Sequence, residues 1–280
     1  FGDEKEHYLT FFLSAMDTII QQLGNSTALY HNAEHTILVV LAGQEILYGK
    51  QMSEGNVSPE DWLHYLLALL CHDVGFLRGI CAQDNARRNC YHTGRKDKDI
   101  VLLPQGCTDA SLNPHHVDRS QQFVAEFVQG RSPVMRQDNL GNKLDIDVAR
   151  IQAYIERTRF PVPDDWRYDQ TGDYPGLTRA ADLIGQLSDP LYLQKTTALF
   201  YEFEEIGANT VLGYHCPDDV WLHYPQFFRN VVYPYLDAGL LYLGETIGGQ
   251  QLVEQLYENV IAAEYRRRER VSTTFVQCCS

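Results

Sequence analysis

At 280 residues the chain is long enough for one large domain or two small ones with a substantial core. It carries 23 Lys and Arg against 37 Asp and Glu, a net charge of −14. That argues against nucleic-acid backbones and anionic membranes as partners, because both need a basic footprint.

The apolar spacing is helical nearly throughout, with no sustained alternation to suggest a strand, so one all-α domain over residues 1–280 is expected. Ile37, Val40, Leu41 and Leu47 mark a first helix, read as also carrying His31 and His35 on one face, since residues four apart are neighbours on a helix. Ser58-Pro59-Glu60-Asp61 reads as an N-cap, a proline at the first position and acids in the first turn. The helix it opens, with Leu63, Leu66, Leu67 and Leu70 at i, i+3, i+4, i+7, delivers His72-Asp73 at its end, where Gly75 breaks it.

The stretch from Cys81 to Asn113 lacks helical periodicity and concentrates Arg87, Arg88, Arg95, Lys96 and Lys98 in an acidic protein. It reads as a solvated loop, with a lid that meets a substrate phosphate as the functional alternative. Val148, Ile151 and Ile155 mark another helix. Arg159 to Gly176, with Pro161, Pro163, Gly172 and Pro175, is a second long loop. Leu252, Leu256 and Val260 mark the last helix, whose basic end, Arg266 to Arg270, complements its dipole. His7, His64, His215 and His223 read as structural or surface residues. Cys278-Cys279 reads as a passive tail.

The seven Cys include no Cys-x-x-Cys spacing, and there is no secretory leader or apolar run of transmembrane length, so a reducing cytoplasm is the expected location. Because the sequence opens at Phe1 rather than Met, missing residues and an attached regulatory domain stay open; a homodimer is a separate possibility.

The chemistry is carried by His35, the adjacent pair His72-Asp73, and Asp182 in Ala181-Asp182-Leu183. Two neutral imidazoles and two carboxylates suit a divalent ion such as Mn, Fe, Mg or Zn better than a structural Cys-type zinc site. Asp73 has two oxygens and can bridge to a second ion. An acid at Asp182 among apolar neighbours is costly to bury unless paired or metal-bound. A small anionic substrate is compatible with the overall charge, because bound metal reverses the local field.

Tyr30-His31-Asn32-Ala33-Glu34-His35, then His72-Asp73, then Ala181-Asp182-Leu183 resemble the Tyr-His-Asn-x-x-His, His-Asp and Ala-Asp-Leu signature of the HD-domain phosphohydrolases, and within them the cyclic-nucleotide phosphodiesterases. The resemblance implies an HD-type helical bundle with a central metal site. It makes His31 the general acid toward the leaving oxygen, a role that suits imidazole. It makes His35, His72, Asp73 and Asp182 metal ligands, with Asp73 also placed to bridge and to take part in catalysis. Leu112-Asn113-Pro114-His115-His116 resembles the family's Leu-Glu-Asn-His-His, which brings His116 to the metals and leaves His115 and His92 as second-site candidates.

The matches are scattered from Tyr30 to Pro234, and several departures stand out. Asn113 replaces a Glu that handles protons, and Phe76 stands where the family often has a His near the second metal. Ser188-Asp189-Pro190 follows the Asp182 motif three residues late, so Asp189 is a fallback ligand or a cap for the next helix. Asp173-Tyr174-Pro175 is a weak echo of the signature of the related HD-GYP hydrolases. The family's nucleotide pocket, Gln-x-x-Phe-Ile-x-x-Ile-Val-x-Pro-Leu, aligns on Pro234 with Tyr224, Phe227, Phe228, Val231 and Val232. Phe227 then falls where a base stacks, and Tyr224 where an amide reads a purine. The same aromatics also fit a core-packing stripe.

Together these residues predict hydrolysis of a small phosphate ester, phosphodiester or nucleotide-like, with two divalent ions and with Asn113, Tyr224 and Phe227 at the substrate. An HD-fold di-iron oxygenase, for which His115 and His116 would serve, and a metal-binding sensor with impaired chemistry are the other readings.

Overall fold

The computed structural model describes residues 6–95, 99–134 and 144–278, with side chains to 270 in the last helix. Lys96 and Lys98 of the basic stretch and Cys279 of the tail therefore lie outside the described residues. The fold is all-α. Helix α1 (Glu6–Leu23) buries Phe11, Phe12, Ala15, Ile19 and Leu23, one apolar stripe at helical spacing.

Helix α2 (Ala33–Glu54) begins later than the sequence suggests. Asn32 is extended (φ −139°, ψ −173°), and its side chain accepts from the backbone N–H groups of Glu34 and His35. Asparagine competes for such cap positions, so His31 falls outside the helix, and the expected shared helix face for His31 and His35 is corrected. The buried face of α2 is Val39, Ala42, Ile46 and Leu47, while Ile37 and Leu41 face solvent.

Helix α3 (Pro59–Cys71) has the start its sequence announces. Ser58 Oγ accepts from Asp61 N at 3.0 Å, and Asp61 Oδ2 accepts from Ser58 N at 3.0 Å, a reciprocal capping box. Every residue from Leu63 to Cys71 is buried, so α3 runs through the middle of the core. It ends at His72, and Asp73 opens a short turn over Val74–Phe76.

The stretch after Cys81 is ordered by a small antiparallel hairpin, β1 (Cys90–His92) with β2 (Ile100–Leu102), pairing Cys90 with Leu102 and His92 with Ile100. The expectation of no strand is corrected here; three residues a side is too short to leave an alternation in the sequence. A 3-10 segment, Asp109–His115, then leads into α4 (His116–Val128).

Next come α5 (Val148–Glu156), capped by Asp147, and α6 (Tyr174–Leu187), capped by Asp173. α6 is buried along most of its length and packs with α2 and α3; Tyr65 on α3 donates its hydroxyl to the Leu177 carbonyl at 2.9 Å. α7 (Tyr192–Glu205), α8 (Ala208–Leu212), α9 (Pro217–Phe227), a π-turn over Phe228–Val232, α10 (Asp237–Leu243) and α11 (Ile247–Cys278) complete the chain. Among the described residues no helix is long and apolar enough to cross a membrane.

Candidate metal centre

Three helices converge on one point. His35 comes from the first turn of α2, His72 and Asp73 from the end of α3, and Asp182 from the middle of α6. Asp73 Oδ2 lies 3.2 Å from His35 Nε2 and 3.2 Å from His72 Nε2. Asp182 Oδ1 lies 3.5 Å and 3.4 Å from the same two nitrogens. His116, the first residue of α4, turns Nε2 toward the other oxygen of Asp73, Oδ1, at 3.9 Å.

The hydrogen bonds decide which nitrogens are free. His72 Nδ1 donates to the Leu69 carbonyl at 2.6 Å, and His116 Nδ1 donates to the Asn113 carbonyl at 2.6 Å. In neutral imidazoles this leaves both Nε2 lone pairs aimed at carboxylate oxygens, an unfavourable pairing unless a cation lies between them. His35 Nδ1, His72 Nε2 and Asp73 Oδ2 are buried with no hydrogen-bond partner among the described residues.

Burial opposes every charge here. It is outweighed by the attraction between the groups: His72 is held well above its ordinary pKa by Asp73 and Asp182, Asp73 well below its own by His72 and His35, and Asp182 is brought down to about 2 by His72 and His35. The proton on His72 thus supplies positive charge that the two carboxylates demand, and a divalent ion bound by the same nitrogen would supply it instead. The donor set of two nitrogens and two oxygens suits Zn, Mn or Fe.

Beside this cluster, His31 Nδ1 donates to Glu202 Oε2 at 2.5 Å, and Glu202 Oε1 accepts from Tyr30 N at 2.6 Å and His31 N at 3.2 Å. Burial alone would lower His31, but the Glu202 carboxylate raises it to about 9. The His31 ring stacks on Phe76, centroids 4.4 Å apart at 11°, and the other face of Phe76 stacks on His116 at 4.6 Å. Glu202, from α7, is absent from the sequence reading; its one signal is an acid inside the apolar run Leu199-Phe200-Tyr201-Glu202-Phe203.

One family model matches the chain over residues 1–266. The chain belongs to the Npun_R2479-like family. No curated protein and no solved structure matches it.

In this Npun_R2479-like chain the remaining predicted residues are placed as follows. His92 Nδ1 accepts from Gly94 N at 3.0 Å, while its Nε2 is buried without a partner among the described residues. Burial and the nearby Arg95 and Arg119 depress His115. No candidate ligand cluster among the described residues includes either one. Asn113 meets His116 through its backbone carbonyl. Tyr224 is buried against Tyr192 at 4.9 Å, the position of a packing residue, and Phe227 lies half-buried, edge-on to Phe160 at 5.8 Å. Asp189 is committed elsewhere, accepting from Leu191 N at 2.8 Å and Lys195 Nζ at 2.6 Å. His64 is structural, bridging the Glu60 carbonyl and Asp147 N.

Arg119, fully buried on α4, was also missed. Its guanidinium meets Asp84 and the carbonyls of Gly75, Leu77 and His92, tying the turn after Asp73 to the hairpin.

Proposed function

We propose that this Npun_R2479-like chain is a metal-dependent phosphohydrolase of the HD type that cuts a small phosphate ester, with His31 as general acid. The observation that carries the reading is the convergence of His35 Nε2, His72 Nε2, Asp73 Oδ2 and Asp182 Oδ1, with a glutamate-held His31 alongside. Those four residues would hold one divalent ion, and Asp73 Oδ1 with His116 Nε2 would offer two ligands to a second. Such ions, when bound, supply Lewis acidity toward the phosphoryl oxygens and a nucleophilic water at neutral pH.

The chain's own residues do the rest. His31 carries its transferable proton on Nε2 while Nδ1–H is held by Glu202, so one ring nitrogen is fixed and the other is free to serve the leaving oxygen. Glu202 favours the imidazolium and so keeps the acid loaded at neutral pH. Phe76 covers the flat face of the His31 ring and keeps water from it. We place this activity in a reducing cytoplasm, a location supported by Cys71, Cys81, Cys90, Cys107 and Cys216, which form no disulfide among the described residues.

The test is elemental analysis of protein purified without chelators, with turnover of an aryl phosphodiester and an aryl phosphomonoester under Mn²⁺. The expected result is about two ions per chain with turnover, and a His31→Ala protein that keeps its metal and loses rate by ~10²–10⁴-fold. Full turnover in His31→Ala overturns the acid role. One observation favours a second reading, a metal-binding sensor without turnover: Phe76 fills the space between His31 and His116, beside the second ligand pair. Bound metal with no hydrolysis of either ester would select it.

A further inference from the structure

Arg179 lies on α6 three residues before Asp182, so one helix carries both a metal-type carboxylate and this guanidinium. The residue is only 2% exposed. A guanidinium has five N–H donors. In Arg179 the Nε and Nη1 groups, with three of those five, have no hydrogen-bond partner among the described residues. Nη2 donates at the long distance of 3.4 Å to the Gln170 carbonyl. The guanidinium lies over the Tyr235 ring, Cζ 3.9 Å from the centroid, a contact that occupies none of its N–H donors.

A second cation converges on the same place. Arg157 Nη1 donates to that same Gln170 carbonyl at 3.1 Å, and its Nη2 reaches Asp173 Oδ2 at 3.4 Å. The carbonyl is held close: a Cβ on Gly176 would sit 2.6 Å from the Gln170 oxygen, so this turn presses directly on the start of α6. Burial and the neighbouring Arg157 bring Arg179 down to about 10, the mark of a cation short of compensating charge. Asp173 and Asp169 act on it only from a distance. A buried guanidinium with unmet donors is costly, and such groups are normally paired or meet a ligand.

We propose that Arg179 and Arg157, on the stacking platform of Tyr235, form an oxyanion-binding site that takes a phosphate- or carboxylate-type group. Arginine suits this task because its planar donors match both kinds of oxyanion and its hydration is weak enough to give up. The site needs no metal ion and no turnover, so it stands or falls apart from the metal centre on the same helix.

The experiment is a titration of the full-length chain with inorganic phosphate and, separately, with acetate at constant ionic strength, with and without EDTA. Melting temperature is followed throughout, and phosphorus NMR line width follows the phosphate arm. With EDTA present, phosphate is expected to raise the melting temperature by roughly 3–5 °C. Arg157→Ala should abolish that rise, and Arg179→Lys should weaken the affinity by about tenfold or more. A rise with acetate but not phosphate would assign the carboxylate form of the same site.

A rise that vanishes with EDTA belongs to the metal centre and overturns the proposal. So does a rise unchanged in both variants, or no rise with either anion, which would leave Arg179 a structural cation satisfied by water. Should Arg179→Lys fail to fold, the Arg157→Ala titration decides.

Discussion

His31 and Glu202 illustrate how much a single contact sets. The His31 pKa is raised to about 9 because Glu202 outweighs the burial that would otherwise lower it. The sign follows from linkage: a histidine whose folded pKa exceeds its ordinary 6.5 stabilises the fold fully below 6.5, and the contribution fades as pH rises through about 9. Replacing Glu202 by Gln keeps an acceptor for the Tyr30 and His31 amides but removes the charge. In chelator-treated protein, the His31 ring resonance of the wild type should titrate above pH 8, and in Glu202→Gln it should move down by at least about one unit. The variant should be less stable by about 2–3 kcal/mol at pH 6, with the difference shrinking by pH 10. A His31 midpoint untouched by the substitution would remove Glu202 from its positioning role.

Among the elements, the turn Asp73–Phe76 and helix α4 form one unit. Gly75 N donates to Ser120 Oγ at 2.9 Å, Ser120 Oγ donates to the His72 carbonyl at 2.6 Å, and Arg119 Nε donates to the Gly75 carbonyl at 2.7 Å. A Cβ on Gly75 would lie 1.9 Å from the His116 carbonyl oxygen, so Gly75→Ala must push α4 outward and draw His116 away from Asp73. Its expected cost is about 2–3 kcal/mol in urea unfolding, together with weaker metal binding. Ser58→Ala, at the opposite end of α3, should cost about 1 kcal/mol through the lost cap and leave metal affinity unchanged. Equal metal affinity in the two variants would contradict this division.

The contrast also explains what the sequence could announce. Ser58, Asp61 and the leucines leading into His72-Asp73 are local signals, and they read true. Asn32 carried an equally local cap signal that the His31–His35 spacing masked. The hairpin was too short to show a period. Glu202 and Arg119 act across the fold, Glu202 meeting a residue 171 positions away, and no local pattern records such a pairing.

At the scale of the whole molecule, the metal-type cluster sits where α2, α3 and α6 meet, with α4 alongside, so an ion there would fasten three helices at once. Without it, the Asp73 carboxylate is met by the charge of a protonated His72. An ion that binds only the folded chain stabilises it by mass action, about 2.7 kcal/mol at a hundredfold excess over Kd. For a chain of 280 residues that corresponds to roughly 4–5 °C in melting temperature. Calorimetry with and without EDTA should therefore show a drop of that size, reversed by adding back Mn²⁺ or Zn²⁺. His35→Ala should melt at one temperature regardless of chelator, because one of the two imidazole ligands from α2 and α3 is gone. The ion should protect more as pH rises from 6 to 8, since it displaces the proton held by His72. A wild-type melting curve indifferent to EDTA, from protein that elemental analysis finds free of metal even after Mn²⁺ or Zn²⁺ is added, would mean that these buried imidazoles and carboxylates are a structural ion-pair cluster.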